Sequence, residues 1–596
     1  MEKKTLLAII LSSILLLVGV SLVNRGEKTV EPATDSEAVE TKPTVQEKKL
    51  NGELIHTSIS ETSLPGEEYQ KKTIVEETDL FRVTFSTVGG VALDVELMKE
   101  KDKGQPISMV LDGDSEIGTF NFSFGGHDAE YIDNIFLHER VQRGKEAIHK
   151  FSRDFLKDGQ QFKLTKTYRL IPGEYIIEHI ITLETPDGKA VPLLDGNKSA
   201  YTLTYGPQIG PGFERIDGVY EIRNNVAWGA NPKKDKFERK IYRERRKLFQ
   251  TFQAGKDRER LFQESSTVKW AAVVGKYFAV IVDPGSGDST ITWDNNPVEG
   301  QIEASRLQIS KPERRQSIIE DTYRFYIGPL DKKILNRYNA AEDNAFGLSG
   351  MALQKAPKTR ALLSWLEEIL KWMLEILHAL IPNYGVAIIV LTILIKVIFF
   401  PLTHKSYEST SKLQALQPKV AVLREKYKDD PQKLNAKTAE LYKREGVNPM
   451  GGCLPMLLQL PILFALYGLL NNYFPLRGAL FVQGWIDDLS APEAIVQFQR
   501  GITLFRAHYD SIRLLPILNL AGQLLTTKVT QAGHLGSQPG SQQKILTIGM
   551  PIFLFFILYN LPSGLLLYWT TMNFITIGQQ LVTNHIKKRN AARGKV

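Results

Sequence analysis

Apolar and polar positions follow two different rules along this chain. Between residues 75 and 335 they alternate with period two. LFRVTFSTVGGVALDVEL places Phe81, Val83 and Phe85 on one face, and QFKLTKTYRLIPGEYIIEHIITLE reads as two strands across a Pro172-Gly173 turn. VKWAAVVGKYFAVIVDP and DTYRFYIGPL continue the pattern. Such a length of strands and turns predicts a β-sandwich. After residue 361 long uncharged runs take over. Ile381 to Thr403 carries a single charge, Lys396, and is long enough for a membrane-spanning helix. Similar runs occupy Cys453–Phe474, Leu514–Thr527, Ile545–Asn560 and Leu561–Thr583, the last two separated only by the Leu561-Pro562-Ser563-Gly564 turn signal.

A sixth run, Thr5 to Asn24, follows MEKK. A cleaved signal peptide is the competing reading, but the apolar core is long and no small-x-small site closes it, which favours an uncleaved anchor. The fold class expected is therefore a polytopic α-helical membrane protein of six spans, with a five-helix core and a large extracytoplasmic β-sandwich domain. Its parts are an anchor (1–24), a flexible linker (25–74), the β-domain (75–335) and an amphipathic helix (361–382). Spans at 383–403, 453–474, 514–530, 545–560 and 561–583 follow, with a helical hairpin at 404–450 and a basic tail at 584–596. The linker is rich in Thr, Glu, Pro and Ser, and too poor in aromatic residues to order itself. Leu514–Thr527 is short: its fourteen uncharged residues rise roughly 21 Å against a hydrocarbon layer of about 30 Å, so its ends snorkel or the bilayer thins.

Flanking charge orients the spans. Residues 404–450 hold ten Lys/Arg against six Asp/Glu, and the tail HIKKRNAARGKV adds five basic residues and no acid. The 475–513 loop has four Arg balanced by four acids. The positive-inside rule then puts the hairpin, the 528–544 loop and both termini in the cytoplasm, and 24–380 outside. The large domain is then extracytoplasmic, on a chain that crosses its membrane several times. The overall balance, 74 Lys/Arg to 66 Asp/Glu, is too even for a DNA-binding block. Cys453 is the only cysteine, so no disulfide forms within the chain; beside an apolar run it reads as a packing residue.

The β-region shows no HExxH, GxSxG or Gly-rich phosphate loop, so neither an enzyme nor a cofactor or metal is expected. Asp112-Gly-Asp114 is a fragment of a calcium loop and reads as a polar turn; His127 and Glu130 are isolated polar loop residues. In ALLSWLEEILKWMLEILHALIP, Glu367, Lys371, Glu375 and His378 form a narrow polar stripe, and Trp365 and Trp372 lie on the broad apolar remainder. That pattern suits a helix in the outer membrane interface, with an ordinary core helix as the alternative.

The spans carry polar stripes of their own. Thr392 precedes Lys396 by one turn; Asn519, Gln523 and Thr526 recur at spacings of four and three; Trp569, Asn573, Thr576 and Gln580 do likewise, and Gln459 lies in the third span. Converging, they would line a polar cavity. The alternative is interhelical hydrogen bonding, with Lys396 snorkelling toward the inner boundary. A lysine at mid-bilayer costs roughly 2.5–3.5 kcal/mol on insertion scales. No acidic residue lies within any of the five C-terminal spans, so Lys396 has no intramembrane ion-pair partner and a proton-coupled transporter lacks its carboxylate. The cation is available to an anionic visitor.

TILIKVIFFPLT, LQPKV, LYKREGVNPMGGCLPMLLQLPILFALY and LPSGLLLYW together resemble the YidC/Oxa/Alb family of membrane protein insertases, in the long form found in Gram-negative-type bacteria. The β-region resembles the family's periplasmic domain more weakly, through VGKYFAVIVDP. The resemblance implies an insertase and chaperone for nascent membrane proteins, acting alone or with the Sec translocon. It implies a hydrophilic groove open to cytoplasm and lipid, holding a basic residue that is usually Arg. Lys396 stands at that position; it keeps the charge without the bidentate fork. Groove residues would be Lys396, Thr392, Gln459, Asn519, Gln523, Thr526, Trp569 and Asn573, and an apolar slide on the third and fifth spans would use Met456, Leu460, Leu463, Phe553 and Phe556. The hairpin and basic tail would contact the ribosome, and their charge also suits phospholipid headgroups. The β-domain would resemble a sugar-mutarotase sandwich without sugar chemistry. Two other function classes stay open: a secondary transporter or anion pore, though no inverted repeat is visible, and a cell-wall enzyme, though no catalytic constellation is.

Overall fold

The computed structural model describes residues 59–62, 69–357 and 363–592, apart from internal stretches at 103, 111–116, 196–198, 211–222, 232–235, 243–260, 266–267, 296–305, 448–453, 505–506 and 532–547. The expected anchor, most of the linker, Asp112-Gly-Asp114, the start of the fifth span and the end of the tail lie outside the described residues. The chain forms two compact units, Met1–Thr359 and Arg360–Val596.

The first unit is built of antiparallel sheets. Its ten-stranded sheet is centred on Glu146–Lys157, Gln160–Leu170, Ile176–Glu184, Ile318–Pro329 and Phe278–Asp283. Gln160–Leu170 and Ile176–Glu184 pair across the Pro172-Gly173 turn, where Gly173 takes φ +81°, a backbone conformation costly for residues with a Cβ. A five-stranded sheet and a four-stranded sheet accompany it. Strict alternation along Gln160–Leu170 buries Phe162, Leu164, Tyr168 and Leu170. It also buries Lys166, whose Nζ donates to Gly89 O (2.9 Å) and Phe120 O (2.8 Å); loss of water around it pushes its pKa well down.

Aromatic side chains join the sheets. Tyr201, from the five-stranded sheet, donates to Asp321 Oδ2 of the ten-stranded sheet at 2.5 Å and lies 2.8 Å from the Tyr323 hydroxyl. Trp293 Nε1 crosses the same way to Ala272 O at 3.1 Å. Phe120 is the hub: it is fully buried, with its ring against Tyr168, His179, Tyr205 and Phe325, and the backbone holds it at φ +61°. At one edge, Glu76 accepts from Arg140 Nε (2.7 Å) and Nη2 (3.0 Å) and lies 3.0 Å from His149 Nε2; His149 Nδ1 lies 3.0 Å from His138 Nε2. The Arg140 hydrogen bond, foremost, holds the Glu76 carboxyl below its ordinary range, and burial lowers His149.

The second unit is helical. The amphipathic segment forms α1, Ser364–Leu380. The second span continues past its expected end as α2, Tyr384–Ala415, with Pro401 inside it. The expected single helix from His404 to Lys428 is instead divided, its first part belonging to α2 and its second forming α3, Gln417–Lys426. The cause is Pro418, which has no N–H to continue the helix and is favoured in a first turn. Then α4, Pro431–Arg444, starts from Asp430, whose side chain accepts from Lys433 N at 3.0 Å. A salt bridge of 2.9 Å from Lys419 to Glu445 closes the hairpin.

Four further α-helices follow among the described residues: α5 (Leu454–Asn472), α6 (Leu514–Gln531), α7 (Met550–Leu558) and α8 (Ser563–Ala592). Between α5 and α6 a two-stranded hairpin pairs Val496–Leu504 with Ala507–Ile512. The bundle's core joins Leu370 and Leu374 of α1, Ile388 and Leu391 of α2, Leu466 of α5, and Leu566 and Met572 of α8. Among the described residues one helical segment, Tyr384–Pro401, is long and apolar enough to cross a membrane by length and composition.

Two outcomes follow. Phe120→Ala empties the centre of the sheet-rich unit and should destabilise the full chain by about 3–5 kcal/mol in a denaturation titration. Glu76→Gln should cost about 1–2 kcal/mol at neutral pH, through weaker charge-assisted bonds. Because the folded carboxyl titrates below its unfolded value, that difference is present above the ordinary carboxylate range and should vanish as pH falls through the folded value; thermal melts across an acid series would show it.

Candidate functional site

Lys396 lies on α2 and faces α8. It is only 8% exposed, and its Nζ donates to Thr576 Oγ1 at 2.9 Å. Thr576 in turn donates to Met572 O, one turn back, at 2.7 Å. The hydroxyl is thus used as both donor and acceptor, while the ammonium, with three N–H groups, engages one of them among the described residues. Thr392, one turn before Lys396 and fully buried, spends its own hydroxyl on Ile388 O at 2.7 Å. Thr526 does the same with Gly522 O at 2.8 Å.

The fourth and sixth predicted spans meet at a small residue. A Cβ placed on Gly522 of α6 would lie 3.2 Å from Asn573 Cβ of α8, so glycine permits this close approach. Around that contact are amides. Gln523 Nε2 donates to Asn519 Oδ1 at 2.7 Å, whereas Asn519 Nδ2 and Asn573 Nδ2 are buried without a partner among the described residues. Buried donors left unmade are costly, so they favour an incoming acceptor, whether water or a peptide carbonyl or carboxylate.

The structure therefore brings Lys396 to Thr576 and places Asn519, Gln523 and Asn573 around the α6–α8 contact. Gln459 is half-buried on α5 with no hydrogen bond to the Lys396 group among the described residues, and Trp569 packs against the core. Of the apolar slide, Leu463 packs against the core, Leu460 and Phe556 are half-buried and Phe553 is exposed; the Met456 side chain is outside the described residues.

Two residues of the 475–513 loop also hold the bundle, and in the sequence they register only as loop charge. Glu493 is buried and accepts from Leu515 N (2.7 Å), capping the start of α6, and from Trp485 Nε1 (3.3 Å). Arg513, also buried, donates to Tyr559 O (3.0 Å) and Asn560 Oδ1 (2.5 Å), tying that start to the end of α7. Gly522→Val should force α6 from α8 and cost about 1–3 kcal/mol of thermal stability in detergent. Gly578→Val, where an added Cβ meets nothing within 4 Å, should leave stability nearly unchanged.

Comparison with known proteins places these residues in a family. The family model described as "60Kd inner membrane protein" matches residues 376–591, which include the Lys396 group. "Membrane protein insertase YidC" of Treponema denticola is 36% identical, with 99% of this chain and 100% of that protein aligned. The protein of the same name from Treponema pallidum is 33% identical over 99% of this chain and 100% of its own. A crystal structure described as active YidC insertase with its first transmembrane domain resolved aligns with 86% of this chain and 92% of its own, at 18% identity and a TM-score of 0.32. On the sequence relatives, aligned over nearly its whole length, the chain belongs to the YidC family of membrane protein insertases.

Proposed function

We propose that the protein inserts nascent membrane proteins into the bacterial inner membrane without covalent chemistry, through a hydrophilic groove whose central cation is Lys396. The observation that carries this reading is the Lys396 ammonium, 8% exposed and hydrogen-bonded to Thr576, in spans that hold no carboxylate. A buried cation with no resident anion attracts the polar or acidic tail of an incoming chain. Asn519, Gln523 and Asn573 then offer amide hydrogen bonds in place of water, with Thr392 and Thr526 as hydroxyl acceptors. Trp569 and Gln459 border the polar path. The client's apolar helix leaves along Met456, Leu460 and Leu463 of α5 and Phe553 and Phe556 of α7.

In this arrangement six spans cross the membrane, both termini are cytoplasmic and the sheet-rich unit is a periplasmic β-sandwich. The α3–α4 hairpin and basic tail meet the ribosome and phospholipid headgroups, and some clients arrive through the Sec translocon. A membrane potential contributes about 2.3 kcal/mol per charge per 100 mV.

The test is replacement of Lys396 in cells depleted of the native protein, with insertion of a small acidic-tailed client as readout. Lys396→Arg should restore insertion. Lys396→Ala and Lys396→Glu should reduce it by about tenfold to a hundredfold, the equivalent of one charged hydrogen bond. Normal insertion by Lys396→Ala would refute the groove cation and leave the apolar slide to carry the function.

A further inference from the structure

The loop between α5 and α6 carries an apolar surface that nothing among the described residues of the helical unit covers. In its β-hairpin Val496 pairs directly with Ile512, so the two share one sheet face, and Phe498 follows two residues on, where the ladder is interrupted by a bulge. Val496, Phe498 and Ile512 are 47%, 42% and 41% exposed. The base of the hairpin is engaged: Ser511 is buried and its carbonyl accepts from the Tyr559 hydroxyl at 2.7 Å. A two-stranded hairpin with a bare apolar face is marginal in water.

Three observations indicate what covers that face. The hairpin runs without a break into a predicted span, Ile512 lying two residues before Leu514, where α6 begins. That span is the short one, its fourteen uncharged residues rising roughly 21 Å where about 30 Å of hydrocarbon must be crossed. The loop also leaves the same end of the bundle as α1, since Tyr473, at the end of α5, donates to Glu375 of α1 at 3.4 Å. There α1 turns outward Trp365 and Trp372, 60% and 62% exposed, and Ile369, Ile376 and Leu380. Tryptophans of this kind mark a membrane interface.

We propose that the 496–512 hairpin is a membrane-embedded element, its exposed Val496, Phe498 and Ile512 seated in the outer-leaflet interface, where they make up the missing hydrophobic length of the fourth span. The occupant of the face is lipid. Arg513 is the pivot, holding the hairpin's base to the end of α7 through Tyr559 and Asn560 while the apolar face meets acyl chains. This rests on the topology proposed above, in which 475–513 is outside.

Spin labels on the full chain in liposomes test it. In a Cys453→Ala background, Val496→Cys, Phe498→Cys and Ile512→Cys are labelled one at a time, with Gln483→Cys, an exposed polar position of the same loop, as the aqueous reference. The three hairpin labels should collide several-fold more with oxygen, relative to a water-soluble nickel chelate, than the Gln483 label does. A ratio equal to that at Gln483 overturns the proposal, since the face then lies in water. Low collision with both reagents overturns it too, since protein then covers the face. Reaction of Gln483→Cys with a membrane-impermeant thiol reagent from outside confirms the topology independently. Reaction only from inside refutes that topology, and the outer-leaflet placement with it.

Discussion

A lone ammonium in an apolar bundle is the constraint that the helical unit is arranged around. The predicted C-terminal spans hold no carboxylate to neutralise Lys396, and among the described residues its ammonium meets one hydroxyl. That hydroxyl belongs to Thr576, which is oriented by its bond to Met572 O, and Met572 is part of the bundle's core. The position of the cation is therefore set by the packing of α2 on α8. The spacing of α8 from α6 depends in turn on Gly522. A stable pair would suit a structural role better; an incompletely satisfied one suits a site with transient visitors.

The same arrangement explains the buried loop charges. Glu493 and Arg513 are both engaged, one by the second amide of α6 and an indole, the other by a carbonyl and an amide at the end of α7. Both loop charges are engaged, whereas Asn519 and Asn573 keep spare donors among the described residues.

Much of this was legible from residue order. Alternation along Gln160–Leu170 and Ile176–Glu184, and the turn between them, follow from period two and from glycine's access to positive φ. The stripe containing Thr576 was visible as spacing, but its bond to Lys396 depends on how two helices separated by 180 residues are rotated against each other. Periodicity does not encode that rotation. The break at Leu416 was missed because the charged pattern runs on through Pro418, and the proline's missing N–H outweighs it. Glu493 and Arg513 were hidden for another reason: a charge in a loop looks solvated until the fold covers it.

The length of α2 has a mechanical meaning. At 1.5 Å per residue its 32 residues extend about 48 Å, well beyond a bilayer's hydrocarbon, so one rigid rod carries both Lys396 and the root of the charged hairpin. A change in tilt of about 5° would sweep the far end through roughly 4 Å, a lever ratio that follows from helix rise alone. Whatever pulls on the hairpin therefore also turns the helix that presents the cation.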